Sequence, residues 1–299
     1  MSDRSALVLG ASGVVGMPLC QSIINEGWQV FGAARFGDAA KKQQLEAMGV
    51  ETVVFDLTQE DAGVLPDVDV VFLEVWDRNQ YSADDQTQAV YHLNYTSIGR
   101  VVARYAGKAD IVNGSTITLY GPRGDRPSIE TDSPRPHNDY AIARHAQELL
   151  IDFLCHEAGS RAVHLRYCRS NTANFGVIRH AADAVLAGRS LGTNPDEHTQ
   201  VISLDDFVRC TVQAALHIDD MPGAVNIVHP TIWTNRSLAQ ELQKRMGKGE
   251  VVFSRETGGA EHSVWADPAL MIQTFGTPTV DLDRLIDDVC DAALAADAS

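Results

Sequence analysis

The sequence predicts an α/β protein with a doubly wound parallel sheet, and three observations carry that prediction. Between Ala6 and Tyr167, short apolar runs alternate with longer stretches of helical periodicity, the pattern of a parallel sheet covered by helices on both faces. The first run breaks into Gly10-Ala11-Ser12-Gly13-Val14-Val15-Gly16, three glycines spaced three apart, and then turns helical. With 299 residues, 44% of them hydrophobic and 21% charged, the chain has the length and composition to bury a full core.

Ala6 to Leu9 reads as a buried strand and Val14 to Glu26 as a helix, with Val15, Leu19, Ile23 and Ile24 along one face. In such a strand-turn-helix the first glycine supplies a backbone conformation that other residues resist. The second lets the chain approach a pyrophosphate, and the third lets helix pack closely on strand. The helix N-terminus adds free N–H groups and a partial positive charge. Gly10, Ser12, Gly13, Val14, Val15 and Gly16 are therefore candidate dinucleotide-binding residues.

Gln29 to Ala34 is the second strand and ends at Arg35, the place that faces the adenosine ribose. An acid there would accept from a free 2′-hydroxyl, whereas an arginine meets a 2′-phosphate. Arg35 points to NADP, and Asp38 three residues on keeps NAD open. Ala39 to Met48 is a helix, and Glu51 to Phe55 a third strand that leads into Asp56-Leu57-Thr58. Asp56, with Leu57 beside it, is a candidate adenine contact; the alternative for Asp56 is a cap on the residues that follow. Val68 to Val75 is a fourth apolar strand, interrupted by Glu74 and followed by Trp76. Asp84 to Ala106 is a long helix and Ala109 to Val112 a fifth strand. Ligands in this architecture lie beyond the carboxyl ends of the strands.

The next stretch carries the chemistry. Asn113-Gly114-Ser115-Thr116 leads through Tyr120-Gly121-Pro122 and a polar, proline-rich loop to a helix that begins at Asp139-Tyr140-Ala141-Ile142-Ala143-Arg144. Tyr140 and Arg144 are four apart and share a helical face. A cation fixed beside a tyrosine stabilises its phenolate and makes proton exchange near neutral pH feasible. A hydroxyl from Ser115 or Thr116, at the end of strand five, could polarise a substrate carbonyl. Thr116, Tyr140 and Arg144 are the candidate catalytic residues; Trp76, Ser115, Asn171 and Arg179 are candidate substrate contacts.

The formal net charge of −16 argues against nucleic acid and anionic membrane as partners and otherwise reads as a well-solvated surface; the expected partner is a small-molecule substrate. Five scattered cysteines without a C-x-x-C pair fit a reducing, cytoplasmic setting. No signal peptide or membrane span is evident. No metal is expected, because the ten histidines never fall at ligand spacing and His145 with Glu148 on one helical face lacks a third ligand. There is no G-x-S-x-G elbow. Thr234 to Met246 reads as a capped amphipathic helix. A last helix has Leu282, Leu285, Ile286 and Val289 on one face, and the Ala/Asp-rich tail from Ala292 to Ser299 is expected to fray.

The order from the glycine turn through Thr116 and Tyr120-Gly121 to Tyr140 resembles the extended short-chain dehydrogenase/reductases, the NAD(P)-dependent epimerase/dehydratase family. Leu165-Arg166-Tyr167, Val201 to Val208 and Gly223 to Val228 look like its later strands. The resemblance implies that Thr116 holds the substrate oxygen and that Tyr140 is the acid/base. It also implies a homodimer through the helices at Asp84 to Ala106 and Asp139 to Glu157. Two departures stand out. The family has lysine where this chain has Arg144, and arginine is planar, longer and not interchangeable with an ammonium. The sugar-nucleotide 4,6-dehydratases carry Asp-Glu after the threonine, whereas Thr116 is followed by Ile117 and Thr118, which argues against dehydration by that route. Val71 to Trp76 is locally similar to the progesterone 5β-reductase and iridoid synthase branch.

The expected architecture is a Rossmann doubly wound parallel sheet over residues 1–170, with a small interleaved C-terminal substrate lobe in 171–299 and segments 200–230 returning to the sheet. The expected activity is an NADP(H)-dependent oxidoreductase acting on a carbonyl or hydroxyl of a small or sugar-like molecule. The alternatives are a sugar-nucleotide epimerase with tightly held NAD and a non-catalytic NADP(H)-binding sensor.

Overall fold

A computed structural model describes residues 4–75, 87–124 and 126–298. The chain divides into two compact units: Met1–Leu119, Pro136–Arg166 and Val208–Val225 form the first, and Tyr120–Arg135, Tyr167–Phe207 and Asn226–Ser299 the second.

The first unit starts with β1 (Ser5–Leu9), α1 (Gly16–Asn25), β2 (Gln29–Ala34), α2 (Ala39–Ala47), β3 (Glu51–Val54) and β4 (Val70–Leu73). It continues with α3 (Thr87–Tyr91), a π-helical turn (His92–Ser97), α4 (Ile98–Tyr105), β5 (Asp110–Thr116), α5 (Asp139–Ala158) and β6 (Ala162–Tyr167). A seven-stranded sheet runs in the order β3-β2-β1-β4-β5-β6-β9, with β9 at Ala224–Ile227. β1 pairs in parallel with both β2 and β4, so that Leu7 stands opposite Phe31 on one side and Val71 on the other. Strand order therefore reverses between β1 and β4, the place where doubly wound sheets open a ligand crevice.

Alternation along the strands decides which residues reach which face. Leu7, Leu9, Val71, Leu73 and Ile111 pack into one cluster with Ile98, Val101 and Val102 of α4 and Ile151 and Cys155 of α5. Each side chain of this size stabilises by about 1.5–3 kcal/mol when removed fully from water.

The second unit contains β7 (Arg169–Asn171), α6 (Val177–Leu186), β8 (His198–Ser203), β10 (Ile232–Thr234), α8 (Asn235–Met246), α9 (Ala269–Phe275) and α10 (Leu282–Asp297). Its three-stranded sheet runs β10-β8-β7. Its core joins Ile178 and Val185 of α6, Leu238 and Leu242 of α8, and Leu285, Ile286 and Val289 of α10. Thr234 caps α8 in a reciprocal pair with Ser237. α7 (Leu204–Leu216) follows β8 directly. In its first turn Asp206 accepts from the backbone of Thr279 and Val280 and from the Ser203 hydroxyl.

Three elements differ from expectation. α1 begins at Gly16 because residues 10–15 are spent on the turn, with Gly13 N donating to Gly10 O at 2.9 Å. β5 runs four residues past Val112, since its polar end is paired to side chains of α5. The tail does not fray at Ala292: α10 continues to Asp297 with Ala293 in the core. The expected helix at 84–106 falls on α3, the π-turn and α4, with its first three residues outside the described ones. Among the described residues no helix is long and apolar enough to cross a membrane.

Candidate dinucleotide and catalytic site

The glycine turn has the geometry its spacing predicts. Gly10 adopts φ +93°, and a Cβ there would stand 2.5 Å from the Glu74 carbonyl oxygen. A Cβ on Gly16 would fall 2.2 Å from the Gly10 carbonyl, so only glycine lets α1 start this close to the strand end. Gly13 lies exposed at the tip of the turn. Val15, at the N-cap of α1, makes no side-chain capping bond; in the first turn Met17 N donates to Gly13 O at 3.3 Å and Pro18 has no N–H, which leaves the Gly16 amide for a ligand. An open glycine tip and an uncapped helix end are what an anionic pyrophosphate requires, and the turn fits a dinucleotide.

Around the adenosine side the picture is mixed. Arg35 is exposed just past β2 and makes no hydrogen bond or ion pair among the described residues. Lys41 reaches back from α2 to the Ser12 carbonyl at 3.4 Å, adding a second cation near the turn. The Asp38 side chain caps α2 by accepting from Ala40 N at 2.9 Å through one of its two oxygens. Asp56 accepts from both the amide and the hydroxyl of Thr58, at 2.9 and 2.7 Å, and these bonds hold its carboxyl below the usual carboxylate range. Of the two alternatives for Asp56, local capping is therefore the one its bonds fulfil. Leu57 packs its side chain into the core, and its carbonyl accepts from Arg100.

On α5 the Asn138 side chain caps the N-terminus by accepting from Ala141 N, which fixes Tyr140 in the first turn. Tyr140 and Arg144 come together as their spacing predicts: the guanidinium carbon lies 6.0 Å from the ring centroid. Arg144 is nearly inaccessible, at 1% exposure, and donates from Nη1 to Gln147 Oε1 at 2.9 Å and more weakly to Asn94 Oδ1 at 3.5 Å. Its Nε and second Nη have no partner. Thr116 ends β5, its Oγ1 2.9 Å from the Thr118 hydroxyl and accepting from Thr118 N.

Three candidate substrate contacts are engaged with partners inside the protein. Ser115 points to the opposite side of β5 from Thr116, and its hydroxyl donates to Glu148 Oε1 at 2.5 Å. Glu148 also takes two bonds from Arg166, at 2.7 and 3.1 Å, so the serine belongs to a buried ion pair. Burial pushes the Glu148 carboxyl up, but His164 and Arg166 outweigh it and hold the group low. Asn171 is buried and spends its amide within the second unit, accepting from Ile178 N and donating to Arg169 O. Arg179 pairs with Asp183 one turn on and donates to Asn174. Trp76, with its local likeness to the reductase branch, lies outside the described residues.

Sequence reasoning passed over Glu74, Asn94, Gln147 and Arg166. Glu74 had a signal, a lone acid at the end of an apolar strand. It is 5% exposed, neither carboxyl oxygen has a partner, and burial pushes it up to about 8 against the opposing pull of Arg144. Gln147 had none, because a glutamine on a helix reads as a solvated residue until the strand beside it is known.

The sequence model of the NAD-dependent epimerase/dehydratase family matches residues 6–227. The chain belongs to that family. The match spans the glycine turn, Thr116 and the Tyr140 helix. Among solved structures, this family member is similar to a tyrosine-to-phenylalanine variant of UDP-glucuronic acid 4-epimerase from Bacillus cereus in complex with a fluorinated UDP-sugar and NAD. That similarity has a TM-score of 0.86 and 20% identity over 98% of this chain and 99% of that one. It is also similar to UDP-glucose 4-epimerase of Thermotoga maritima with UDP-glucose, TM-score 0.83 and 18% identity over 98% and 99%. A third is an NAD-dependent NDP-hexosamine 5,6-dehydratase of tunicamycin biosynthesis, TM-score 0.77 and 17% identity over 98% of each chain. At these identities the likeness concerns the fold, and the family assignment rests on the sequence model.

Proposed function

We propose that the protein binds a nicotinamide dinucleotide on the turn after β1 and exchanges hydride at a hydroxyl-bearing carbon of a small, sugar-like substrate. The observation that carries this reading is the buried pairing of Tyr140 with Arg144 on the first two turns of α5, at the carboxyl end of a sheet whose glycine turn fits a pyrophosphate. The dinucleotide supplies the hydride chemistry when bound. Tyr140 holds or returns the proton of the reacting hydroxyl, and Thr116 steadies its oxygen through a hydroxyl already oriented by Thr118. Arg144 supplies a fixed positive charge beside the tyrosine ring. Gly10, Ser12, Gly13, Val14, Val15 and Gly16 receive the phosphates, and Asp56 and Leu57 lie on the adenosine side.

For the cofactor, the similar structures crystallised with NAD favour NAD. Arg35, exposed and attracted electrostatically to Asp56 without a hydrogen bond, with Lys41 near the same turn, supports NADP. A second reading, a sugar-nucleotide epimerase that returns the hydride to the opposite face, is favoured by the UDP-sugars bound in similar structures. Dehydration through an acid beside Thr116 is disfavoured, because the next residue, Ile117, is buried and apolar.

The test is calorimetric titration with NAD⁺, NADH, NADP⁺ and NADPH, with Arg35→Ala in parallel, followed by incubation with UDP-sugars and simple hydroxy compounds. Net change in reduced nicotinamide marks an oxidoreductase, and sugar isomerisation without it marks an epimerase. A protein that binds no form of the cofactor refutes the reading.

A further inference from the structure

Glu74 follows β4 directly, and the backbone around it is arranged to admit it. Its amide donates to Leu9 O at 3.1 Å, and its carbonyl lies against Gly10. Its carboxyl lies over Gly114 of β5, where a Cβ would stand 2.5 Å from Oε2. Gly114 leaves the room that the carboxyl occupies, and Gly10 leaves room for the Glu74 backbone carbonyl. Yet the carboxyl is buried with both oxygens unpartnered, and Arg144 is buried with Nε and one Nη unpartnered. The two groups attract electrostatically, but no hydrogen bond or ion pair joins them. Buried polar atoms left without partners, on a neutral acid as on a guanidinium, are costly and call for a partner that the protein itself does not supply.

The position says which ligand atoms would arrive there. With the pyrophosphate on the glycine turn, a dinucleotide crosses the sheet where strand order reverses, between β1 and β4. One half then lies over β2 and β3, and the other, the nicotinamide half, over the ends of β4 and β5 beside Glu74. An oxidised nicotinamide ring carries a positive charge that reduction removes. Resting on the dinucleotide reading above, we propose that Glu74 is a specificity-determining residue that selects the oxidised, cationic cofactor over the reduced, neutral one.

Selection works through the proton on the carboxyl. Burial holds Glu74 protonated near neutral pH, with a carboxyl titrating at about 8. A cationic ring brought against it favours the carboxylate and expels the proton, whereas a neutral ring leaves the proton in place. Among the described residues the charged group that acts on Glu74 is Arg144, from α5; Tyr140 stands one turn before it on the same helix. The turn at residues 10–15 carries no titratable side chain, and the π-turn contributes the neutral Asn94, which meets Arg144. On β5, Ser115 and the Glu148 it bonds form a separate pair with Arg166.

The experiment is titration of the full chain with NAD⁺ and with NADH from pH 6 to pH 9, in buffers of different ionisation heat, for the wild type and Glu74→Gln. If NADP proves the cofactor, the same measurements use NADP⁺ and NADPH. In the wild type, preference for the oxidised form rises at least about fivefold across this range, and its binding releases a proton seen as buffer-dependent heat. In Glu74→Gln the preference is flat with pH and the buffer dependence disappears. A wild-type ratio that does not move with pH, or an identical slope in the variant, overturns the role of Glu74 while leaving cofactor binding intact. Failure of both forms to bind the wild type overturns the dinucleotide reading and this proposal together. Should the variant not fold, the buffer dependence of the wild type decides alone.

Discussion

Arg144 donates from Nη1 to Oε1 of Gln147, 2.9 Å away and one turn further along α5, and this bond aims the guanidinium. Gln147 is itself held, because its Nε2 donates to Asn113 Oδ1 at 2.8 Å, and Asn113 Nδ2 lies 3.0 Å from His164 Nδ1. A buried chain of side chains from α5, β5 and β6 thus orients Arg144. The ammonium of a lysine there would be shorter and would leave the Gln147 oxygen without its donor. Arg144→Lys is expected to lower stability by about 1–3 kcal/mol, the cost of a buried polar group left unmade. Urea unfolding with an unchanged slope reads this; an unshifted midpoint would mean that the Gln147 bond contributes nothing.

Tyr140→Phe removes only the phenolic oxygen and leaves the ring beside Arg144. A general acid or base contributes typically about 10²–10⁴-fold, so turnover on any substrate found should fall by that range. Cofactor affinity should change less than about threefold, since the group acts on the reacting proton. Stopped-flow hydride transfer and calorimetry separate the two, and full retention of turnover would move the acid/base role away from Tyr140.

Glu148 and Arg166 are both nearly buried, and their 2.7 Å ion pair carries Ser115 with it. Removing one partner strands the other, so Arg166→Leu is expected to cost about 3–5 kcal/mol. The sign with pH follows from the held-down Glu148 carboxyl. Its contribution is present above the unfolded-state value and is lost as pH falls through the lower folded-state value. Denaturant midpoints at acidic and neutral pH should therefore converge for wild type and variant only under acid.

The fold and the glycine turn were legible because they rest on local rules: period-two and period-3.6 apolar spacing, and glycines where a Cβ would strike backbone. Tyr140 with Arg144 was legible for the same reason, since four residues on a helix fix a shared face. The intramolecular partners of Ser115, Asn171 and Arg179 were not legible, because a polar residue near a site looks the same in sequence whether it faces ligand or a distant partner. Ser115 is bound by Glu148 and Asn171 by Ile178, partners that only folding supplies. Glu74 was visible as an interruption in a strand, but the room for its carboxyl depends on Gly114 of the neighbouring strand.

Glu74 also predicts an inverse pH effect on stability in the absence of ligand. Its folded-state value, raised from 4.5 to about 8, means that the folded form holds the extra proton between those values. Its contribution is whole below the lower value and is lost as pH rises through the upper one. Glu74→Gln keeps a neutral side chain at every pH, so the variant should gain on the wild type as pH climbs, by on the order of a few kcal/mol at pH 9. Melting curves of both proteins from pH 5 to pH 9 check this, and parallel curves would mean that the carboxyl is hydrated.

The outer face of α5 leads to the last prediction. Ile142, Leu149 and Phe153 are exposed, the last two at 57% and 60%, and they recur at intervals of seven and four, one stripe along the helix. Tyr95 of the neighbouring π-turn is exposed as well. Apolar side chains aligned this way, on one of the helices through which the family resemblance implies pairing, fit an isologous contact with a second copy. Leu149→Glu with Phe153→Glu would place acids opposite their own symmetry mates, in a chain already at −16, and should shift the protein to monomer. Sedimentation velocity over a range of concentrations reads the change, and a wild type that is monomeric throughout refutes the contact. Because the stripe lies opposite the Gln147 and Arg144 side of the helix, cofactor binding by the monomeric variant should persist within about threefold, as expected for independent sites.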